Sequence, residues 1–429
     1  MLKLLAEKCV MPARMWQYGI HSFLELLCQK LPASLEFLLS FLYLTYSTMT
    51  VLLECVPAFK DIWIECLGSL AWYRMAVEAD VPDRIIWAGV SQYWYNKVAD
   101  SSPDVGQIQY HLAALSRPHL LQQFFYYTKA LLSVHPFPDA RKDMIILFKR
   151  LLNGQPSHQH PLITTFLAAH GVLFTRGPIE RFVFLATEFL SLLQKHIGHL
   201  DRQGRQSAFI TSCNISAVLE YGVAGSITSV FVKKPRANFA DSYTSAMEEW
   251  RADQSCVEIF AADSTTDFAH PALRVLSQLS LLGASLASNT LCVFLDHLEH
   301  SVMYPTVHIF LAFILCLSLH PSAMRNLETR IPWAKLATFL NSLVHPDIDI
   351  LKIESETFPL FFDGIPQRLS EDFLIRGQSW SQLYYPENFF EAAYIEDEWP
   401  SVEEPSSVMP RTHRCLWVGI RIAKVYCAP

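Results

Sequence analysis

Two groups of residues in this 429-residue sequence have the types and spacing to do chemistry. Asp296, His297, Glu299 and His300 fall in one segment of helical character, and Asp296 and His300, four residues apart, would share one side of that helix and could share a metal ion. No third ligand stands near them, so the segment reads as a solvated helix face carrying an ion pair. His158 and His160, in a proline-rich loop, read equally as surface side chains. The second group is cationic: Arg74, Arg84, Lys97, Arg117, Lys129, Arg141, Lys142, Lys149 and Arg150. On the inner face of a helical stack they would form a positive groove suited to a phosphopeptide or a nucleic-acid backbone, although each taken singly is ordinary surface charge. The phosphate-cradling glycine loops GxxxxGK[ST] and GxGxxG, the HExxH and GxSxG motifs, and Cys/His sets at zinc spacing are all absent from the sequence. A non-enzyme with no metal and no cofactor is expected.

A groove of that kind needs helices to position it, and the composition favours them. Hydrophobic residues make up 51% of the chain, enough for large cores, and there are only 15 glycines, too few for a turn-rich sheet fold. Pro32, Pro57, Pro82, Pro103, Pro118 and Pro136 stand 15 to 25 residues apart, one helix plus one turn, which predicts stacked helical hairpins. The tetratricopeptide template matches in part: Leu67-Gly68, Tyr95 and Pro103 fall where that repeat places Leu-Gly, an aromatic and a closing proline, with Gly68 letting the partner helix come close. A shorter copy begins at Gly106, with Leu112-Ala113 in the Leu-Gly position and Tyr127 and Ala130 as its packing pair. Phe124, Phe125, Tyr126 and Tyr127 are consecutive. At 100° per residue they cover nearly the whole circumference of a helix, so that helix must have neighbours on both sides.

Further helices are expected over 161–177, 179–197, 205–221, 271–319 and 333–343, with a long loop near 225–270 that holds the basic Lys233 to Arg236 and the polar run DSTTD. After Glu354 the chain turns aromatic and acidic, and Glu396 to Ser407 reads as an exposed acidic linker before a short basic, apolar end. These changes suggest three divisions, 1–152, 153–353 and 354–429. A net charge of −7 argues against a surface devoted to phosphates. Ten cysteines scatter through apolar runs without a CxxC pair, the pattern of reduced thiols in an intracellular protein. Phe37 to Leu53 and Val275 to Leu295 carry no charged side chain, but Ser and Thr in the first and Ser, Asn and Gln in the second interrupt them, which predicts buried solenoid helices rather than membrane spans. The opening MLKLLAEKCVMPAR lacks the apolar core of a secretory signal.

Several segments resemble one known family. GSLAWYRMAVE (Gly68 to Glu78), YWYNKVADSSPDVGQIQYHLAAL (Tyr93 to Leu115) and FFYYTKALLSVHPFPDAR (Phe124 to Arg141) are similar to the helical domain shared by the telomerase subunit Ever Shorter Telomeres one and the SMG adaptors of nonsense-mediated mRNA decay, most strongly in its fungal branch. The similarity extends to MWQYGIHSFLELL, VPAFKDIWIECLG, HIGHLDRQGRQSAFITSCNISAVLEYG and LSEDFLIRGQSWSQLYYPENFF, and so covers most of the chain. The resemblance implies an all-α protein: a 14-3-3-like domain of tetratricopeptide hairpins over 1–152, then stacked α-helical hairpins. It implies a non-enzymatic adaptor of nucleus or cytoplasm that binds phosphorylated protein partners or, in the telomerase branch, RNA or telomeric DNA, away from any membrane. Tyr73 and Arg74 match the family's phosphate-pocket motif, and Lys97 and Lys129 are the nearest other cations on this part of the stack. Where family members read G-D-[IL]-x-R-Y-R, this chain has Ser69 and Trp72, so the first arginine of the pocket is replaced. Members also carry helices ahead of the MWQYGIH segment, one of them bearing a cation of the same groove, whereas 14 residues precede Met15 here. Because a phosphate dianion is best held by two or more cations, weak phosphoserine binding is expected.

Overall fold

The computed structural model describes residues 8–154, 159–199, 205–223, 225–232, 277–297, 303–346, 348–359, 367–390 and 408–426. Helix accounts for 77% of them, and no strand occurs among the described residues, so the fold is all-α. Contacts divide the chain into two units, Met1–Pro103 with Ile108–Arg117, and Asp104–Gln107 with Pro118–Pro429. This division falls near 103–117, whereas the sequence suggested breaks near 152 and 353.

In the first unit, a π-helical turn Met15–His21 runs into α1 (Ser22–Gln29), followed by α2 (Leu35–Cys55), α3 (Lys60–Val77), α4 (Val81–Ser101) and most of α5 (Gly106–Leu115). At α4 a proline and a side-chain cap set the helix start. Pro82 occupies the first turn of α4, where its missing N–H costs nothing, and Asp80 accepts from the Asp83 N–H at 3.3 Å. The core gathers Leu24 of α1, Leu38, Leu42 and Met49 of α2, and Trp63, Cys66, Leu67 and Leu70 of α3. At Gly68 α3 and α4 approach closely: a Cβ there would stand 3.2 Å from the ring of Tyr95, and the Ser91 hydroxyl donates to the Gly68 carbonyl at 2.9 Å.

The second unit contains α6 (Leu120–Leu132), α7 (Ala140–Leu152), α8 (Pro161–Phe174), α9 (Ile179–His196), α10 (Arg205–Val218), α11 (Gln278–Leu295), α12 (Tyr304–Ser318), α13 (Trp333–Ser342), α14 (Ile350–Glu354), α15 (Ser370–Ile375) and α16 (Val408–Tyr426). The four consecutive aromatics lie on α6, which has neighbours on both sides. Phe124 meets Phe148 of α7 at 5.4 Å and His170 of α8 at 5.1 Å, while Phe125 stacks on Phe209 of α10 at 4.5 Å. Tyr127 is buried and Tyr126 half-buried. α12 is buried from Pro305 to Ser318 and apolar apart from Thr306, His308 and Ser318, the expected place for such a helix. Its partners include α16, so the C-terminal helix belongs to this unit's core instead of forming a separate tail. α10 and α11 pack so closely that a Cβ on Gly283 would come within 2.7 Å of the Ala217 backbone.

The apolar helices expected over 271–319 are α11 and α12 within the described residues. Lys233 to Arg236, DSTTD, the remainder of the expected loop from 233 onward and the acidic run Glu396 to Ser407 lie outside the described residues. Among the described residues, two helices are long and apolar enough to cross a membrane: α11, 56% buried inside the protein, and α2, 22% buried.

Candidate functional site

The expected phosphate-binding residues are distributed over both units. Tyr73 and Arg74 sit near the end of α3 and Lys97 near the end of α4, in the first unit; Lys129 lies on α6 of the second. The Tyr73 hydroxyl donates to the Glu25 carboxylate of α1, and burial, reinforced by that carboxylate, pushes its pKa up. Arg74 pairs with Glu78 one turn along and lies 5.5 Å over the Trp87 ring. Backbone N–H of Asp80 first, and Arg74 next, hold the Glu78 carboxyl below the usual range. Arg84 donates through Nε and NH2 to the Glu78 carbonyl at 3.1 and 2.9 Å. Glu78 therefore draws in two of the first unit's arginines.

Lys97 is placed differently. Its ammonium stands 4.4 Å over the exposed Tyr93 ring and 5.7 Å from that of Trp94, a cation–π arrangement with no ion pair among the described residues. Trp87 and Trp94 are seven residues apart on α4, about 10 Å at 1.5 Å per residue, so Arg74 and Lys97 are held over different rings. Lys129 is buried and donates to the Phe373 carbonyl at 3.1 Å. The remaining cations are scattered too. Arg141 donates to the Tyr221 carbonyl at 2.6 Å, Lys142 pairs with Asp139 at 2.7 Å, and Arg117, Lys149 and Arg150 are exposed.

The acid–histidine segment is a surface ion pair as far as it is described: both Asp296 oxygens accept from Lys335 Nζ at 2.6 Å, while Glu299 and His300 lie outside the described residues. His160 caps α8, accepting from the Leu162 N–H at 3.2 Å; His158 also lies outside. No group of three metal-ligating side chains occurs among the described residues. A cleft of about 360 Å³ in the second unit is lined by apolar Val172, Phe182 and Leu279 and by polar Ser277 and Gln278, with exposed Arg176 as its one cation among the lining residues.

The most concentrated charge was not singled out from the sequence. Glu371, wholly buried, accepts two parallel bonds from Arg411, at 2.6 and 2.9 Å, and a third from His308 Nδ1 at 2.8 Å; the other ring nitrogen of His308 is 2.6 Å from the Tyr384 hydroxyl. Asp372 next to it pairs with Arg414, accepts from Tyr385 at 3.1 Å, and caps its own helix by accepting the Leu369 N–H at 2.8 Å. Further along α16, Trp417 donates to the Ser355 carbonyl at 2.9 Å, and Arg421 donates to the carbonyls of Glu354 and Ser355. Burial opposes ionisation of Glu371, but Arg411 and His308 overcome it and hold the carboxyl well below the carboxylate range. The Glu371–His308–Tyr384 chain has the parts of an acid–base relay. Each member is buried and already paired, so it acts as an ionic anchor between α16, α15 and α12. The sequence signal was Arg411, Arg414 and Arg421, which share one side of a helix with Trp417 and Val418, together with the adjacent acids of LSEDFL.

A second buried polar group supports α8. His170 Nδ1 is 2.7 Å from the Tyr221 hydroxyl and Nε2 is 3.1 Å from Asn214 Oδ1, and burial lowers the imidazole pKa to about 3. The ring is therefore neutral, donating through Nε2 to the Asn214 oxygen and accepting from Tyr221. In comparison with known proteins, no family model matches the chain, and no curated protein matches it in sequence.

Proposed function

We propose that this chain is a non-enzymatic helical adaptor of the type its segments resemble, the telomerase-subunit and nonsense-mediated-decay adaptors, and that it works in the nucleus or cytoplasm by holding protein partners. The observation that carries this reading is the state of Arg74, the one arginine matching the family's phosphate pocket: it is occupied by Glu78 and Trp87. An incoming phosphate would have to displace a carboxylate one helical turn away, and Trp72 offers a single N–H in place of a second guanidinium. Recognition then falls to helix surfaces instead of a phosphate pocket.

A second reading, contact with RNA or telomeric DNA, draws on one feature. Lys97 over exposed Tyr93 combines a cation with a ring on which a base can stack. The two readings part in a titration of the full chain with one peptide in phosphorylated and unphosphorylated forms, and with a single-stranded oligonucleotide. The adaptor reading expects weak binding of all three. Tight oligonucleotide binding lost in Lys97→Ala and Tyr93→Ala would replace it with the nucleic-acid reading; tight phosphate-dependent peptide binding would restore the pocket.

A further inference from the structure

The outer face of α2 is a long apolar surface without charge. Its inner stripe of Leu38, Leu42, Thr45 and Met49 is buried. On the opposite side Phe37, Leu44 and Val51 repeat every seven residues and are 70%, 62% and 57% exposed, with Tyr43 beside them at 78%. No charged side chain occurs from Phe37 to Leu53. Two hydroxyls on this face are already engaged: Ser47 donates to the Tyr43 carbonyl at 2.9 Å and Thr48 to the Leu44 carbonyl at 2.8 Å. Covering those two with apolar surface therefore strands no donor. Charge is confined to the two ends. Glu36 and Glu54 are exposed, 18 residues or five turns apart, about 27 Å along the axis. Neither makes an ion pair or hydrogen bond among the described residues.

We propose that this face docks one partner helix, which carries its own apolar stripe and a Lys or Arg near each end, about five turns apart, so that each cation meets one glutamate. The charges select this occupant. A second copy of the chain laid antiparallel would set Glu36 against Glu54, and laid parallel would set each glutamate against its equivalent; both orientations crowd like charges. An anionic membrane surface attracts helices whose polar edge holds Lys and Arg, and the edge here holds carboxylates. A helix with cationic ends satisfies the stripe and both glutamates together.

The proposal rests on the adaptor reading, and the test separates the two. The full chain, carrying a photoreactive benzoylphenylalanine in place of Val51, is irradiated in an extract of its source cells, and the cross-linked peptides are sequenced by mass spectrometry. The expected product joins position 51 to a segment of another protein with apolar residues at heptad spacing and Lys or Arg about 18 residues apart. Its yield should fall at least tenfold with Leu44→Glu, and also with Glu36→Lys combined with Glu54→Lys. These positions are exposed, so an unchanged helical spectrum confirms that the variants fold. A cross-link to another copy of the chain, to lipid or to a segment without flanking cations overturns the proposal, as does a yield indifferent to the charge reversal. Partners retrieved without any cross-link at position 51 overturn the docking face alone; no retrieved partner overturns the adaptor reading and the face together.

Discussion

Replacing Glu371 by Gln keeps the shape of the side chain and removes its charge, which isolates what the carboxylate does for α16. In the folded protein Glu371 accepts two bonds from Arg411 and one from His308, and both Glu371 and Arg411 are almost entirely withdrawn from water. Breaking one half of a buried pair leaves an uncompensated guanidinium, for which the expected loss is about 3–5 kcal/mol. The measurement is guanidinium denaturation of the full chain, followed by circular dichroism for the second unit's transition and by hydrogen exchange at the amides of α16. Removing both charges with Glu371→Leu and Arg411→Met should restore much of the loss. The residue is the bond that His308 Nδ1 can no longer make, about 1–3 kcal/mol. A loss under about 1 kcal/mol for Glu371→Gln, or a double variant as unstable as the sum of the singles, would refute the idea that this pair is a coupled anchor.

The same carboxylate predicts acid sensitivity: its folded pKa lies below the unfolded value of about 4.3, so its contribution is complete above that value and is lost as pH falls through and below it. Stability measured from pH 6 to 3 should fall in the wild type and more shallowly in Glu371→Gln. His170, with its pKa lowered to about 3 by burial, acts in the same direction over a higher window, because the unfolded imidazole binds its proton near pH 6.5 and the folded one does not; stability should decline as pH drops from about 6.5, less so in His170→Phe once its lower starting stability is subtracted. Gly283→Ala, whose Cβ would meet the Ala217 backbone at 2.7 Å, should destabilise by about 1–3 kcal/mol in a thermal melt; an unchanged melting point would contradict the close approach of α10 and α11. Trp72→Arg should strengthen phosphoserine-peptide binding by at most about 1.5–3 kcal/mol in calorimetric titration; a larger gain would mean that Glu78 leaves Arg74 free to act beside it.

How far the sequence reveals this fold depends on the range of the interaction involved. Pro82 and Pro161 each mark a helix start because proline's effect is local, and Gly68 opposite Tyr95 follows from the hairpin spacing. The sandwiching of α6 is legible because four adjacent rings cannot all face one way. Which helices would sandwich it is not: Phe148, Phe166 and Phe209 are no more apolar than many other residues, and a helical period does not name its partner. The division between units is hidden for that reason. Lys129 looked like groove charge because its exposure depends on Phe373, 244 residues away. Arg411 and Arg414 looked like a basic tail, since their burial depends on Glu371 and Asp372, 40 and 42 residues upstream. Of the candidate site, Tyr73, Arg74 and Lys97 were legible as residue types, but not the Glu25 and Glu78 carboxylates that engage the first two.

The central claim, that the chain holds proteins through its helix surfaces instead of through phosphate or nucleic acid, meets its most direct test in affinity capture of the tagged full chain from its source cells, divided into untreated, phosphatase-treated and nuclease-treated portions. The account predicts the same set of partner proteins in all three. Partners that vanish with phosphatase would return the Arg74 groove to phosphopeptide binding, and partners that vanish with nuclease would show that nucleic acid bridges them; either result contradicts the account.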